Sequence, residues 1–147
     1  MRTNYIQIRT DMIKQVRIGD RDYPELLKYI PDPPGLLYYA GDISLASKPS
    51  IAIVGARKAT SYGKWAAYGF AKKLAEYGIV VVSGMAYGVD SWAHKGAVEN
   101  KGKTIAVLGC GIDICYPDAN RALRDDILKE GLILSEYEPG TPPLPFR

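Results

Sequence analysis

Three short stretches of this 147-residue chain carry the residue types that grip phosphate: Gly55-Ala56-Arg57-Lys58, Ser83-Gly84-Met85-Ala86-Tyr87-Gly88 and Gly109-Cys110-Gly111. Each follows a short apolar run and leads toward a helical pattern. Backbone N–H groups at a helix start have no intrahelical partner, and the helix dipole adds positive potential there. Arg57 supplies a permanently charged, forked donor two residues past the first run, and Lys58 stands beside it. Tyr87 and Tyr116 fall in loops at the same edge, where an aromatic ring can stack on a base. Trp65 and Trp92 fit stacking and packing equally by helical phase.

Several other chemistries are disfavoured. Gly109-Cys110-Gly111 opens like a dinucleotide fingerprint but lacks its third glycine, and Gly63-Lys64-Trp65 lacks the hydroxyl that a P-loop needs after its lysine. Asp90, Asp113, Asp118 and Glu136 form no pair whose spacing requires acid–base work, and Asp90 most simply caps a helix. His94 reads as a hydrogen-bonded structural residue. Ser83 lacks the flanking pattern of a nucleophile elbow. Cys110 and Cys115 with one histidine do not make a zinc site, so they read as two reduced thiols. No catalytic residue, metal or cofactor is expected.

The elements that must position these loops follow from periodicity. Ile51–Val54, Ile79–Val82, Thr104–Leu108 and Leu132–Ser135 are continuous apolar or β-branched runs of the kind buried in a parallel sheet. Between them lie helices. The first is expected from an N-cap at Ser61, with Ala67, Phe70, Ala71, Leu74 and Ala75 turned inward and Gly78 ending it. The second begins near Asp90 or Ser91 with Ala93 and Ala97 inward, and the third runs from about Ala119 to Glu130 with Leu123 and Ile127 inward. Strand–helix alternation at this spacing predicts right-handed βαβ crossovers, an α/β class and a Rossmann-like three-layer parallel sheet. The binding crevice then lies beyond the carboxyl ends of the strands. Tyr23-Pro24-Glu25-Leu26-Leu27 suits a short helix, and prolines 31, 33 and 34 force a turning path before Leu36-Leu37-Tyr38-Tyr39. This part reads as an N-terminal extension on the sheet edge. A flexible segment over 1–16 and a domain over 17–147 are expected, the domain lacking its C-terminal part. Hydrophobic residues at 47%, charged residues at 24% and a net charge of +3 suit a globular domain and permit an anionic partner. No stretch approaches the ~20 apolar residues of a membrane span and no signal-peptide pattern opens the chain, which points to the cytoplasm.

Read together, Gly55-Ala56-Arg57 with Tyr62-Gly63, Ser83 through Asp90, Ala93-His94, Thr104 through Gly111, Tyr116-Pro117, Asn120 and Ser135-Glu136-Tyr137 resemble the DNA-processing protein A (DprA/Smf) family in order and spacing. The lead-in from Tyr23-Pro24 to Gly41 does so too. The resemblance implies a protein without catalytic turnover that binds single-stranded DNA in the crevice, protects it, loads the RecA recombinase during natural transformation, and forms a homodimer. The implied DNA-binding set is Gly55, Ala56, Arg57, Lys58, Ser61, Ser83, Gly84, Ala86, Tyr87, Gly88, Gly109, Cys110, Gly111, Tyr116 and Asn120. Tyr87 stands where many relatives carry a basic residue, and Asp118 where some carry lysine; Lys58 and Lys103 are then expected to share the load. The family's Arg-Asn-Arg segment, expected just after Phe146, is not in the sequence. The alternative is a nucleotide phosphoribohydrolase of the lysine-decarboxylase-like (LOG) type, echoed only by Gly140-Thr141 near Glu136 and Glu138.

Overall fold

The computed structural model describes residues 8–144. Its strands are β1 (Lys14–Arg17), β2 (Leu36–Gly41), β3 (Ser50–Ala52), β4 (Val80–Ser83), β5 (Thr104–Leu108) and β6 (Leu132–Ser135), and its α-helices are α1 (Ser61–Glu76), α2 (Val89–Glu99) and α3 (Arg121–Glu130). They form one six-stranded sheet in the order β1-β2-β6-β5-β4-β3. Strands β3 to β6 are parallel, with Ile51 opposite Val81, Val82 opposite Ile105 and Ala106 opposite Ile133. The class is α/β and Rossmann-like, as expected, but the sheet is mixed. The N-terminal extension contributes two antiparallel strands, β2 against β6 and β1 against β2.

The order β3, β4, β5, β6 means that every crossover steps the same way across the sheet. Right-handed crossovers that all step one way deliver their helices to one face. The core clusters agree: Val81 packs with Ala71, Ala93 and Ala97, while Ala106 and Ile133 pack with Ile127. The alternate residues Val80, Ile105, Leu132 and Leu134 point to the second face and meet Leu45 of the 3-10 turn Ile43–Ser47. A second 3-10 turn, Glu25–Tyr29, is held by Tyr23, which is buried and donates its hydroxyl to the Pro34 carbonyl at 2.6 Å. Between these turns and the sheet a groove of about 590 Å³ remains, floored by Val82, Ile105, Val107 and Leu134.

Three expectations need correction. Phe70 does not face the sheet; it is 66% exposed, because α1 lies with Ala67 and Ala71 at its inner line and Phe70 falls outside it. The N-cap of α1 is Thr60, whose hydroxyl accepts from the Gly63 amide at 3.1 Å, and Ser61 is the first helical residue. The fold also begins before the expected boundary at 17: Ile8 is buried in the core beside Met12 and Ile13, and β1 starts at Lys14. Residues 1–7 of the segment expected to be flexible lie outside the described residues.

The face asymmetry is testable at two neighbouring residues of β5. Ala106→Leu overpacks the helix-covered face and should lower stability by about 1–3 kcal/mol in urea unfolding. Val107→Thr, on the open face, should stay within about 0.5 kcal/mol of wild type.

Candidate nucleic-acid interface

The carboxyl ends of β3, β4 and β5 lead into the three glycine-containing loops, which meet at one rim of the sheet. The middle loop is held by a polar network. Ser83 Oγ donates to the Ile53 carbonyl at 2.7 Å, tying it to the first loop. The Gly84 amide donates to Asp90 Oδ2 at 3.0 Å. Ser91 Oγ donates to the Ala86 carbonyl at 2.5 Å, and Asn120 Nδ2 donates to the Met85 carbonyl at 2.7 Å and to Ser91 Oγ at 2.9 Å. Met85 itself takes a positive φ of 57°, a conformation a side chain rarely adopts unless its surroundings enforce it.

Glycine has a different role here from the one expected. A Cβ on Gly55 would run into the Val89 side chain, one on Gly84 into the Asp90 carboxylate, and one on Gly111 into the Glu138 carbonyl. At Gly88 the carbonyls of Ala56 and Arg57 leave no room, and its φ of 78° also favours glycine. These positions let the loops pack on one another; close packing of protein, rather than approach by phosphate, accounts for them.

Packing of the loops leaves Arg57 at the surface. It is exposed, has no carboxylate partner among the described residues, and lines two neighbouring cavities. The amides of Gly55, Ala56 and Arg57, and those of Ala86, Tyr87 and Gly88, donate to no protein acceptor among the described residues. The smaller cavity, about 290 Å³, is walled by Arg57, Gly84, Ala86, Gly109 and Tyr116. The larger, about 730 Å³, runs from Arg57 past Lys58, Tyr87 and Gly88 to Asn120. Lys64, Trp92 and Lys95 also line it, and these three were not in the expected set.

Comparison with known proteins decides the family. The model for DNA recombination-mediator protein A matches residues 14–147. The chain belongs to this family. It is 45% identical over 129 residues to DNA processing protein DprA of Streptococcus pneumoniae, a match that covers 88% of this chain and 45% of that one. To DprA of Bacillus subtilis it is 40% identical over 136 residues, covering 92% of this chain and 46% of the relative. The chain thus spans about half the length of these curated relatives. The solved structure of the Streptococcus pneumoniae protein superposes with a TM-score of 0.86 at 43% identity, covering 91% of this chain and 47% of that one. DNA processing protein A from Helicobacter pylori, whose solved structure concerns its single-stranded DNA binding mode, gives a TM-score of 0.79 at 35% identity, covering 91% of this chain and 60% of that one.

Within this DNA-processing domain the expected site residues fall into two groups. Gly55, Ala56, Arg57, Lys58, Ser61, Tyr87, Gly109 and Tyr116 are exposed, and Ala86 and Gly88 are partly accessible. Ser83, Cys110, Gly111 and Asn120 are buried. Ser83 and Asn120 spend their donors on backbone carbonyls and act as braces. The Gly111 amide donates to the Thr141 carbonyl at 2.8 Å, and the Gly84 amide is held by Asp90, so neither is open to a ligand. Burial raises the Cys110 thiol above its ordinary pKa, which keeps it protonated. Asp90 does not cap α2; Gly88 occupies the N-cap position and Asp90 clamps the loop instead. Lys103 sits at the opposite end of β5, bound to Glu130 at 2.6 Å, and takes no part in the rim. Gly140-Thr141 braces the third loop: the Gly140 amide donates to Asp113 at 2.8 Å and the Thr141 carbonyl takes the Gly111 amide. That use of its backbone gives the phosphoribohydrolase reading no support. No cluster of three metal-ligating side chains occurs among the described residues.

His94, on the inner side of α2, is fully buried. The Thr104 hydroxyl donates to the Val81 carbonyl at 2.7 Å, so its oxygen is left to accept from His94 Nδ1–H, also at 2.7 Å. Desolvation lowers the imidazole pKa to about 4, outweighing the opposing effect of the Ser83 backbone. Because the folded pKa lies below the unfolded value near 6.5, the unfolded chain takes up the proton first as pH falls. Stability should therefore be lost as pH falls from about 6.5 to about 4, with a slope approaching 1.4 kcal/mol per pH unit within that window. His94→Gln should flatten that slope in urea titrations, whatever its effect on stability at pH 7.

Proposed function

We propose that this chain binds single-stranded DNA at the sheet's carboxyl rim, without catalytic turnover, as part of the DNA processing its family performs. One observation carries the reading: Arg57 projects unpaired between two cavities, beside loop amides that have no acceptor of their own. A guanidinium and a run of amides match the forked, multi-acceptor geometry of a phosphodiester. Tyr87 and Tyr116, one in each cavity, offer ring faces to unstacked bases. The braced carboxylate of Asp90 is committed to Gly84, and no pair of titratable groups at the rim is set up for acid–base chemistry.

The finer reading follows from family membership. We infer that the bound strand is held for the RecA recombinase during natural transformation in the cytoplasm, and that the family's homodimer is the form in which this happens. Gly55, Ala56, Arg57, Lys58, Ser61, Ala86, Tyr87, Gly88, Gly109 and Tyr116 form the direct contact set, with Ser83, Gly84, Cys110, Gly111 and Asn120 shaping it from beneath.

Fluorescence anisotropy with labelled oligo-dT tests the reading. Arg57→Ala should weaken binding by about 1–3 kcal/mol, the scale of a lost charge-assisted hydrogen bond. It should also reduce the salt slope by about 0.7, the value for one single-strand phosphate. An unchanged titration for the variant rejects Arg57 as a phosphate contact.

A further inference from the structure

We propose that the strand does not end at the rim but continues along a second basic track, the furrow bounded by the start of α1, by α2 and by the start of α3. This track is lined by Lys58, Lys64 and Lys95, with Trp92 as an apolar wall. The inference rests on the single-strand reading of the rim and extends it to residues outside the family motif.

What marks this furrow is that its cations are both unpaired and gathered in one cavity. Lys28, Lys73, Lys103, Lys129 and Arg121 each meet a carboxylate at 2.6–2.7 Å. No aspartate or glutamate lines the furrow, and Arg57, Lys58, Lys64 and Lys95 take part in none of the ion pairs among the described residues. Four cations are thus gathered on one concave surface with nothing to neutralise them. Such clustering raises local potential and recruits a polyanion in a way that an even spread of charge does not.

The helices hold this arrangement firmly. Gly96 of α2 lies against the α1 backbone at Tyr68, an approach that a Cβ would block. Tyr68 also donates its hydroxyl to Glu99 at 2.9 Å. Lys64 on α1 and Lys95 on α2 therefore flank one channel. Lys95 Nζ stands 4.9 Å from the centre of the Trp92 ring, a cation–π contact that keeps the ammonium over the wall. Arg57 lines both the 290 Å³ rim cavity and the 730 Å³ furrow, so the two adjoin at its side chain. A concave track with cations and a ring suits a flexible single strand, whose bases are free to stack.

The test uses oligo-dT of about 5 and about 15 nucleotides, bracketing the common site sizes of single-strand binders. Wild type, Arg57→Ala, the pair Lys64→Gln/Lys95→Gln, and a control pair of exposed lysines away from the furrow, Lys48→Gln/Lys72→Gln, are compared across a salt series. The furrow pair should bind the short oligonucleotide as wild type does. It should lose roughly tenfold or more of affinity for the long one at low salt, with a slope shallower by about 1.4, equal to two phosphates. The control pair should leave both lengths unchanged. If the furrow pair keeps the full gain with length, or the control pair loses as much, the track is overturned while the rim reading stands. Failure of wild type to bind either length overturns the rim reading and the track with it.

Discussion

The loop from Ser83 to Asp90 follows a path that its own sequence does not favour: a positive φ at Met85, a glycine pressed against two carbonyls at Gly88, and a buried carboxylate at Asp90. It is held by side chains that reach it from elsewhere. Ser83 ties it to the first loop and Asn120 ties it to the start of α3, while Asp90 and Ser91 close it on itself. Buried polar contacts of this kind are costly unless every member finds a partner, and when satisfied they fix one arrangement. Because the loop is fixed, Gly88 can sit against Ala56 and Arg57, and because it sits there, the first loop is turned with its arginine outward. The accessible guanidinium is therefore a consequence of the buried network beneath it.

The sheet supplies the frame in a one-sided way. Three crossovers in the same direction cover one face with α-helices and leave the other to two 3-10 turns and an apolar groove. The rim and the furrow both lie on the helix-covered side or at its edge, formed by the loops together with α1, α2 and the start of α3. The open groove across the sheet contains Asp32 and Glu136 and no lysine or arginine, so its chemistry differs from that of the rim. Function and exposed hydrophobic surface are thus separated between the faces.

Much of this was legible in the chain. Strands β5 and β6 fall on their expected residues because each is a continuous apolar run ended by a change to glycine or glutamate. The turn glycines and Arg57 marked the rim. Strand β1 was not legible: Lys14-Gln15-Val16-Arg17 has one buried residue and three exposed ones, the signature of an edge strand, which apolar runs do not reveal. Phe70 deceived because α1 carries apolar residues around much of its circumference, and phase alone did not choose the inner line. The braces were hidden for another reason. Asn120 acts on a carbonyl 35 residues away, and only the fold brings them together. Lys64, Trp92 and Lys95 had one local signal, the i, i+3 spacing of tryptophan and lysine on α2, but their shared channel depends on how closely two helices approach.

Phosphate contact by the exposed loops can be read residue by residue. In amide-resolved NMR of the chain titrated with a short oligo-dT, the account predicts that the largest shifts fall on Gly55, Ala56, Arg57, Ala86, Tyr87 and Gly88, while the braced amides of Gly84 and Gly111 move less. Shifts centred instead on Val82, Ile105 and Val107 of the open sheet face, with the rim amides still, would contradict it.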